Sequence, residues 1–262
     1  CCYVNKLGEP KELTAKNELF ERFQAGDVLV INESKVLKRR VFSETGLEIL
    51  FLQAMESNKW QVLFPAKKTK LQEEVMLPQG VTMKLLEKGI PQTVETNIAL
   101  DERYFQNHGE LALPPYIQQA RGTRHQNEDD ESWYQTDWAK HEGSYAAPTA
   151  SLHFTQKDLE QLSQKGVHVE KVTLHVGLGT FLPIRSEDIG EHKMHSEWIE
   201  VPSSSVENML KAKKMKHNIW CLGTTALRAV ESQAHGYLKF DDTRQSFIGE
   251  PDIFIKPGFG FK

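Results

Sequence analysis

The sequence predicts an α/β protein: a mostly parallel sheet domain with helices, interrupted by a small antiparallel β unit. Val28 to Ile31 is an unbroken apolar run, as expected of a strand covered on both faces. Between about Val41 and Leu113, short β-rich runs follow one another with no helical period. From Thr155 onward, helical and extended patterns alternate, which implies βαβ units around a parallel sheet.

Gly26-Asp27 introduce the first run and Asn32 closes it; a run this short is also compatible with a buried helix segment. In the β-rich stretch Trp60, Val62 and Phe64 alternate with period two, giving one buried face of an antiparallel strand. Roughly 70 residues of such runs make a small barrel or a meander. Pro114-Pro115 predicts stiff, extended backbone, and the polar stretch after Arg121 predicts a loop. The acidic run Glu128 to Glu131 in it reads as a solvated face, because consecutive carboxylates lack ligand geometry.

Thr155, with Asp158 three residues on, predicts a capped helix with Leu159 and Leu162 as its apolar stripe and Gly166 as its stop. In "VTLHV" that follows, Val172, Leu174 and Val176 share one strand face, and Thr173 and His175 the other. Ser204 with Glu207 predicts a second capping box, opening a helix whose Lys211, Lys213, Lys214 and Lys216 suit its C-terminal dipole. Then come a buried strand in "NIWCL", a turn at Gly223-Thr224-Thr225, a helix in "ALRAVESQ" and a closing strand in "DIFIK".

The length of 262 residues allows one large domain or two modest ones, and 39% hydrophobic with 26% charged residues is ordinary for a folded chain. A net charge of -4 supplies no global pull toward nucleic acid or acidic membranes, so such a partner must be met by a local basic patch. Cys1, Cys2 and Cys221 form neither a spaced disulfide framework nor a Cys-x-x-Cys pair, which fits a reducing cytoplasm. No apolar run approaches the roughly 18 residues of a membrane span, so no membrane partner is expected. The opening Cys1-Cys2-Tyr3-Val4 carries neither Met nor a signal peptide, and with the ending "PGFGFK" it reads as a piece of something longer.

Ligands of open α/β sheets gather at the carboxyl ends of strands. Three such ends carry polar residues here: Asn32 with Ser34 and Lys35; His175 with Gly177, Gly179 and Thr180; and Gly223-Thr224-Thr225. Thr224 or Thr225 can cap the following helix while free N–H groups face a ligand. Arg228 adds a charge-assisted contact to a carboxylate or phosphate, or makes a plain salt bridge. "GLGT" is not a dinucleotide fingerprint, since the third glycine falls on Leu182, and it lacks the Lys-Ser/Thr of a P-loop. Its glycines either let backbone approach a flat or sugar-like ligand or form a tight turn. His153, His175, His192 and His195 flank these segments and exchange protons near neutral pH. His192 and His195 lack a third ligand of matching spacing, so no metal is expected.

"GDVLVINESKV", "LPPYI", "YAAPTASLHFT", "VTLHVGLGTFLPI", "HKMHSEWIEVP", "GTTALRAVES" and "DIFIKPGFGFK" together resemble the S-adenosylmethionine:tRNA ribosyltransferase-isomerase family of queuosine biosynthesis, in order over almost the whole chain and most weakly across 41–110. The resemblance implies an α/β domain carrying an inserted β-barrel: residues 1–40 and 114–262 for the discontinuous α/β part, 41–113 for the barrel. It implies transfer and isomerisation of the ribosyl moiety of S-adenosylmethionine onto 7-aminomethyl-7-deazaguanine at the tRNA wobble position. Epoxyqueuosine-tRNA, adenine and methionine result. S-adenosylmethionine is then a co-substrate, with no true cofactor and no metal, and the protein a cytoplasmic monomer.

On this reading His175 and His195 are the proton-transfer candidates. Pro148, Thr149 and His153 form the pocket wall, Gly177, Gly179 and Thr180 a ligand floor, and Asn32 a further substrate contact. Thr224, Thr225 and Arg228 hold the methionine carboxylate or a tRNA phosphate. Lys35, Lys38, Arg39 and Arg40 are the first candidates for tRNA phosphates, and Lys67, Lys68 and Lys70 the second. The sequence departs from the family pattern at Ser151, where Gly is usual, and at Lys35, where Arg is. The family's pattern also has an "RYP"-like block upstream and an "NFHLP"-like block downstream, absent here. A non-catalytic tRNA-binding module and an inactive truncated fragment are the alternatives. A methyltransferase ranks below them, because the early glycine-rich strand-to-helix loop is missing.

Overall fold

The computed structural model describes residues 2–4, 10–12, 16–56, 58–177, 179 and 195–262. A two-stranded pair, β1 (Cys2–Val4) and β2 (Pro10–Glu12), precedes helix α1 (Lys16–Phe20), β3 (Val28–Asn32) and β4 (Ser34–Val36). Six strands follow: β5 (Arg40–Phe42), β6 (Glu48–Glu56), β7 (Lys59–Leu63), β8 (Glu74–Leu77), β9 (Val81–Glu87) and β10 (Gln92–Thr96). They form one antiparallel sheet in the order β5-β6-β7-β10-β9-β8. Its two edges meet where the Glu44 N–H donates to the Met76 carbonyl at 2.9 Å, so the sheet curls into a nearly closed barrel and hides edge groups that would otherwise need partners.

The alternation at Trp60, Val62 and Phe64 does face the barrel core, with Phe51, Met83, Leu85 and Val94. Helix α2 (Glu102–His108) plugs that core: Phe105 meets Phe51 and Trp60 edge-on, both at 5.3 Å between ring centroids. Asp101 caps it, accepting from the Tyr104 N–H.

Beyond the barrel the Pro-Pro expectation holds at Pro114, extended at φ −56° and ψ 147°, and is corrected at Pro115. Pro115 is the first residue of α3 (Pro115–Arg121), where its missing N–H costs nothing. The polar stretch after it also contains a short helix, α4 (Asp130–Trp133). Within the acidic run Asp130 is buried and paired with Arg121 at 2.6 Å rather than solvated. β11 (His141–Ser144) then pairs in parallel with β4.

The C-terminal half adds α5 (Gln156–Gln164), β12 (His168–Leu174), β13 (Ile199–Pro202), α6 (Ser203–Lys214), β14 (Ile219–Cys221), α7 (Thr224–Ala234), β15 (Lys239–Asp241) and β16 (Ser246–Gly249). The second six-stranded sheet has the order β14-β3-β12-β13-β16-β15. Only β14, β3 and β12 run parallel; β13, β16 and β15 are antiparallel. The sheet is therefore mixed rather than mostly parallel. The β15–β16 hairpin supplies strands that the sequence reading placed instead in "DIFIK", residues 252–256, which pair with nothing among the described residues.

Val28 to Ile31 is indeed covered on both faces, Val28 and Val30 packing with Val172 and Leu174, and Leu29 and Ile31 with Phe23 and Leu162. The Thr155–Asp158 capping box is complete. The Ser204–Glu207 box is not: α6 starts at Ser203 behind Pro202 with no side-chain cap, and the Ser203 N–H donates instead to the Gln245 carbonyl of the neighbouring hairpin at 3.0 Å.

Candidate active site

The site grows from the end of β12. Its ladder with β13, Leu174 opposite Ile199, continues beyond the strand proper. The His175 N–H donates to the Trp198 carbonyl at 3.0 Å, and the Gly177 N–H donates to Glu197 Oε1 at 3.0 Å. On the opposite side the Tyr145 N–H donates to the Val176 carbonyl at 3.0 Å, and Ser144 Oγ accepts from the Val176 N–H at 3.0 Å. The glycine-bearing segment is thus clamped between two others, and its first half is neither a free loop nor a phosphate cradle.

His175 stacks on Trp198, with ring centroids 5.0 Å apart and planes 18° from parallel. A Cβ at Gly143 would stand 2.7 Å from the imidazole, so only glycine leaves room for the ring. Burial, reinforced by His141 and opposed by Glu200, lowers the His175 pKa from 6.5 to about 4. The ring is neutral at neutral pH, and its Nδ1 is buried without a partner among the described residues. His195 sits at the far end, exposed, against Gly179, where an added Cβ would meet its Cδ2 at 2.7 Å. His175 stacks on Trp198 and His195 lies against Gly179, so the two histidines have different immediate neighbours.

Arg228, on the second turn of α7, is buried and ion-paired with Glu197. Its Nη2 donates to the His195 carbonyl at 2.9 Å and to the Pro251 carbonyl at 3.2 Å. Burial lowers its pKa, while Glu197 and Asp252 act to hold it charged. The guanidinium is thereby engaged with protein groups: it ties the His195 segment, the Gly177 backbone through Glu197, and the Pro251 segment into one unit. Glu197 is the residue that sequence reasoning missed. Its only sequence signal is a carboxylate two residues before a strand.

The third wall joins here. The turn Thr149–His153 is a single 3-10 helix that keeps Pro148 buried and Thr149 and His153 exposed. Ala150 Cβ would lie 3.1 Å from a Cβ at Gly223, and Ser151 Oγ donates to the Leu222 carbonyl at 3.4 Å. Gly223, at φ 90°, is the N-cap of α7. Thr224 and Thr225 are therefore the first helical residues and not caps, which corrects the sequence reading. Thr225 Oγ1 is buried without a partner among the described residues. The structure thus gathers Pro148, Thr149, His153, His175, Gly177, Gly179, His195, Thr224, Thr225 and Arg228 into connected segments around one strand end. Thr180 and His192 lie outside the described residues.

Two groups of expected contacts are corrected. Asn32 is buried with its amide fully used: Nδ2 donates to the Leu174 carbonyl at 3.0 Å, and Oδ1 accepts from the N–H groups of Leu174 at 3.0 Å and Ser34 at 3.1 Å. It is a clip between β3 and β12, not a ligand contact. In the basic cluster Arg40 is 1% exposed, paired with Glu110 at 3.0 Å and Glu48 at 3.6 Å. Arg39 is buried against Phe105 at 4.2 Å and paired with Glu102. Neither reaches a tRNA phosphate, because leaving the carboxylate would strand a buried charge. Lys38 and Lys35 are also matched, by Glu131 and by Glu142 at 2.8 Å.

A family model described as "Queuosine biosynthesis protein" matches residues 5–262. The S-adenosylmethionine:tRNA ribosyltransferase-isomerase of Sulfurihydrogenibium sp. (strain YO3AOP1) is 35% identical over 269 residues, covering 99% of this chain and 75% of that protein. The protein of the same name from Staphylococcus aureus (strain JH9) is 38% identical over 268 residues, covering 98% and 75%. A crystal structure of an S-adenosylmethionine tRNA ribosyltransferase from Thermotoga maritima is similar at 25% identity and a TM-score of 0.38, covering 94% of this chain and 67% of that one.

Proposed function

The chain belongs to the queuosine biosynthesis protein family, and on that premise we propose that it is an S-adenosylmethionine:tRNA ribosyltransferase-isomerase. It moves the ribosyl part of S-adenosylmethionine to 7-aminomethyl-7-deazaguanine at the tRNA wobble position and isomerises it, releasing adenine and methionine. S-adenosylmethionine is the co-substrate, and no other cofactor or metal is required. The same reading has the protein act as a monomer in the cytoplasm. The observation that carries it is 35% and 38% identity over almost the entire chain to proteins of that name.

The reaction needs a proton removed next to the sulfonium, a proton supplied as adenine leaves, and a site that keeps water away. Gly177, held by Glu197, and Gly179, against His195, support a floor for the adenosyl group, because backbone without side chains lets a flat ligand approach closely. His195, exposed at its edge, suits proton transfer. His175 is held neutral, so it cannot donate as an imidazolium at neutral pH; its part is to accept a hydrogen bond or a proton through the unpartnered Nδ1. Arg228 and Glu197 position both segments rather than holding a methionine carboxylate.

The test is to incubate the protein with S-adenosylmethionine and tRNA carrying the aminomethyl-deazaguanine base, then follow adenine and digested nucleosides by mass spectrometry. Adenine and epoxyqueuosine in equal amounts are expected. Bound tRNA with no adenine would mean a binding module and end this reading. His195→Ala should lower turnover by about 10²-fold or more, the usual scale of general acid–base catalysis, and a loss within a few-fold would remove His195 from the chemistry.

A further inference from the structure

We infer that a groove on the outer face of the barrel, lined by Arg124 and flanked along the chain by the exposed Lys67, Lys68, Lys70 and Lys88, grips the sugar-phosphate backbone of the tRNA; this rests on the reading above. Two adjoining cavities, of about 360 and 350 Å³, share Glu48, Leu50 and Arg124. One extends toward Ala112 and Gln118, the other along Leu63, Phe64, Pro65, Ile90 and Gln92. Together they make a continuous trough between the barrel and the segment that carries α3.

Charge assigns the occupant. The first basic cluster is neutralised residue by residue, with Lys35, Lys38, Arg39 and Arg40 each facing a carboxylate. The cations around the trough are different. Arg124 lines it directly, Lys67 and Lys68 follow Pro65, and Lys88 precedes Ile90. All five cations are exposed, and none of their side chains forms an ion pair among the described residues, although the Lys70 N–H donates to the Glu73 carboxylate at 2.6 Å. The acidic side chain within the trough, Glu48, is faced by Arg40 at 3.6 Å. A chain of net charge -4 thus concentrates unmatched positive charge on one face, as a polyanion site requires.

The lysines are held outward by the chain beneath them. The Ala66 N–H donates to the Phe64 carbonyl at 2.8 Å and the Thr69 N–H to the Ala66 carbonyl at 3.2 Å, with Ala66 and Thr69 buried. That turn fixes the backbone beneath Lys67, Lys68 and Lys70 and leaves their side chains outside. Ile90, 53% exposed, gives an apolar surface on which a ribose or base can rest. The trough also adjoins the candidate active site. Its floor residues Leu50, Leu63 and Ala112 pack with Tyr145, whose N–H holds the Val176 carbonyl in the ladder. The trough floor and the strand end where the chemistry is placed are therefore linked through Tyr145.

The experiment compares wild-type protein, the variant Lys67→Ala/Lys68→Ala/Lys70→Ala/Arg124→Ala, and a control Lys35→Ala/Lys38→Ala. Binding of tRNA is measured by fluorescence anisotropy across a series of salt concentrations, together with steady-state kinetics. The fourfold variant should bind tRNA at least ~10-fold more weakly, and its log–log salt slope should be shallower by about 3 to 4, near one per lost phosphate contact. KM for tRNA should rise, while kcat and the constants for S-adenosylmethionine stay within about twofold. The control should behave as wild type. The charge-reversal pair Lys67→Glu/Lys68→Glu, exposed and outside the core, serves if the fourfold variant melts early.

An unchanged slope, or a loss that appears only in the control, overturns the groove. Wild type that releases no adenine, but loses tRNA through these substitutions, sinks the enzymatic reading and keeps the groove. Wild type that turns over, with a variant that binds normally, does the reverse. A wild type with no measurable tRNA affinity contradicts both.

Discussion

Removing the charge of Glu197 leaves the buried Arg228 guanidinium without its counter-charge, while an amide oxygen at that position can still accept from the Gly177 N–H. Glu197→Gln should therefore cost about 3–5 kcal/mol, the usual penalty for breaking one side of a buried pair, read as a lowered urea midpoint. The double change Glu197→Leu/Arg228→Met should cost less than the sum of its parts; strict additivity would show that the two are not coupled. His175 makes a second prediction. Its folded pKa of about 4 lies below the ordinary 6.5, so as pH falls the unfolded chain takes up the proton first. Stability is complete above about pH 6.5 and drains toward pH 4, by at most roughly 3 kcal/mol. His175→Gln should flatten that acid limb in urea titrations, and an unchanged limb would place the titration elsewhere. These positions differ in how readable they were. Residue type made His175 and Arg228 visible as candidates, but whether a guanidinium faces ligand or protein depends on Glu197 and Pro251, distant in sequence. The same holds for Asn32, two of whose three side-chain bonds reach across to Leu174.

At the level of elements, Gly179 and Gly223 have separable roles. A methyl at Gly179 would collide with the His195 ring, an exposed side chain that can move at little cost. Gly179→Ala should leave the melting temperature within about 2 °C, a change of well under 1 kcal/mol, and still reduce turnover by reorienting His195; normal turnover would detach His195 from that edge. Gly223 has φ 90°, where a side chain is strained by about 1–2 kcal/mol, and its turn faces Ala150. Gly223→Ala should therefore lower both stability and S-adenosylmethionine affinity. The α5 capping box and the β3 run were legible because their signals are local. The β15–β16 hairpin was not: its turn is made by Asp241 Oδ1 accepting from the N–H groups of Thr243 at 2.9 Å and Arg244 at 3.0 Å, inside a short polar stretch. "DIFIK" carries the β-branched and aromatic run of a strand, yet such a run without a neighbour to pair with does not make one.

Across the whole molecule the charges divide into those that hold the chain together and those left for a partner. Arg40 joins β5 to Glu110 beyond the barrel, so Arg40→Met should destabilise the fold by several kcal/mol and leave the salt slope of tRNA binding unchanged; a shallower slope would make Arg40 a phosphate contact after all. A barrel-like run of strands within an α/β chain was visible from the change in texture after Val41. Which basic residues remain unmatched was not, because Glu102, Glu110, Glu131 and Glu142 reach them only in the folded chain. The placement of S-adenosylmethionine on the ladder at the end of β12 is tested most directly by amide hydrogen exchange, read by mass spectrometry on the protein with tRNA, before and after S-adenosylmethionine is added. Slowed exchange at Gly177, Gly179 and residues 195–198, with the barrel strands unaffected by that addition, is the predicted result. Protection confined to other segments, with exchange at the ladder unaltered, would contradict it.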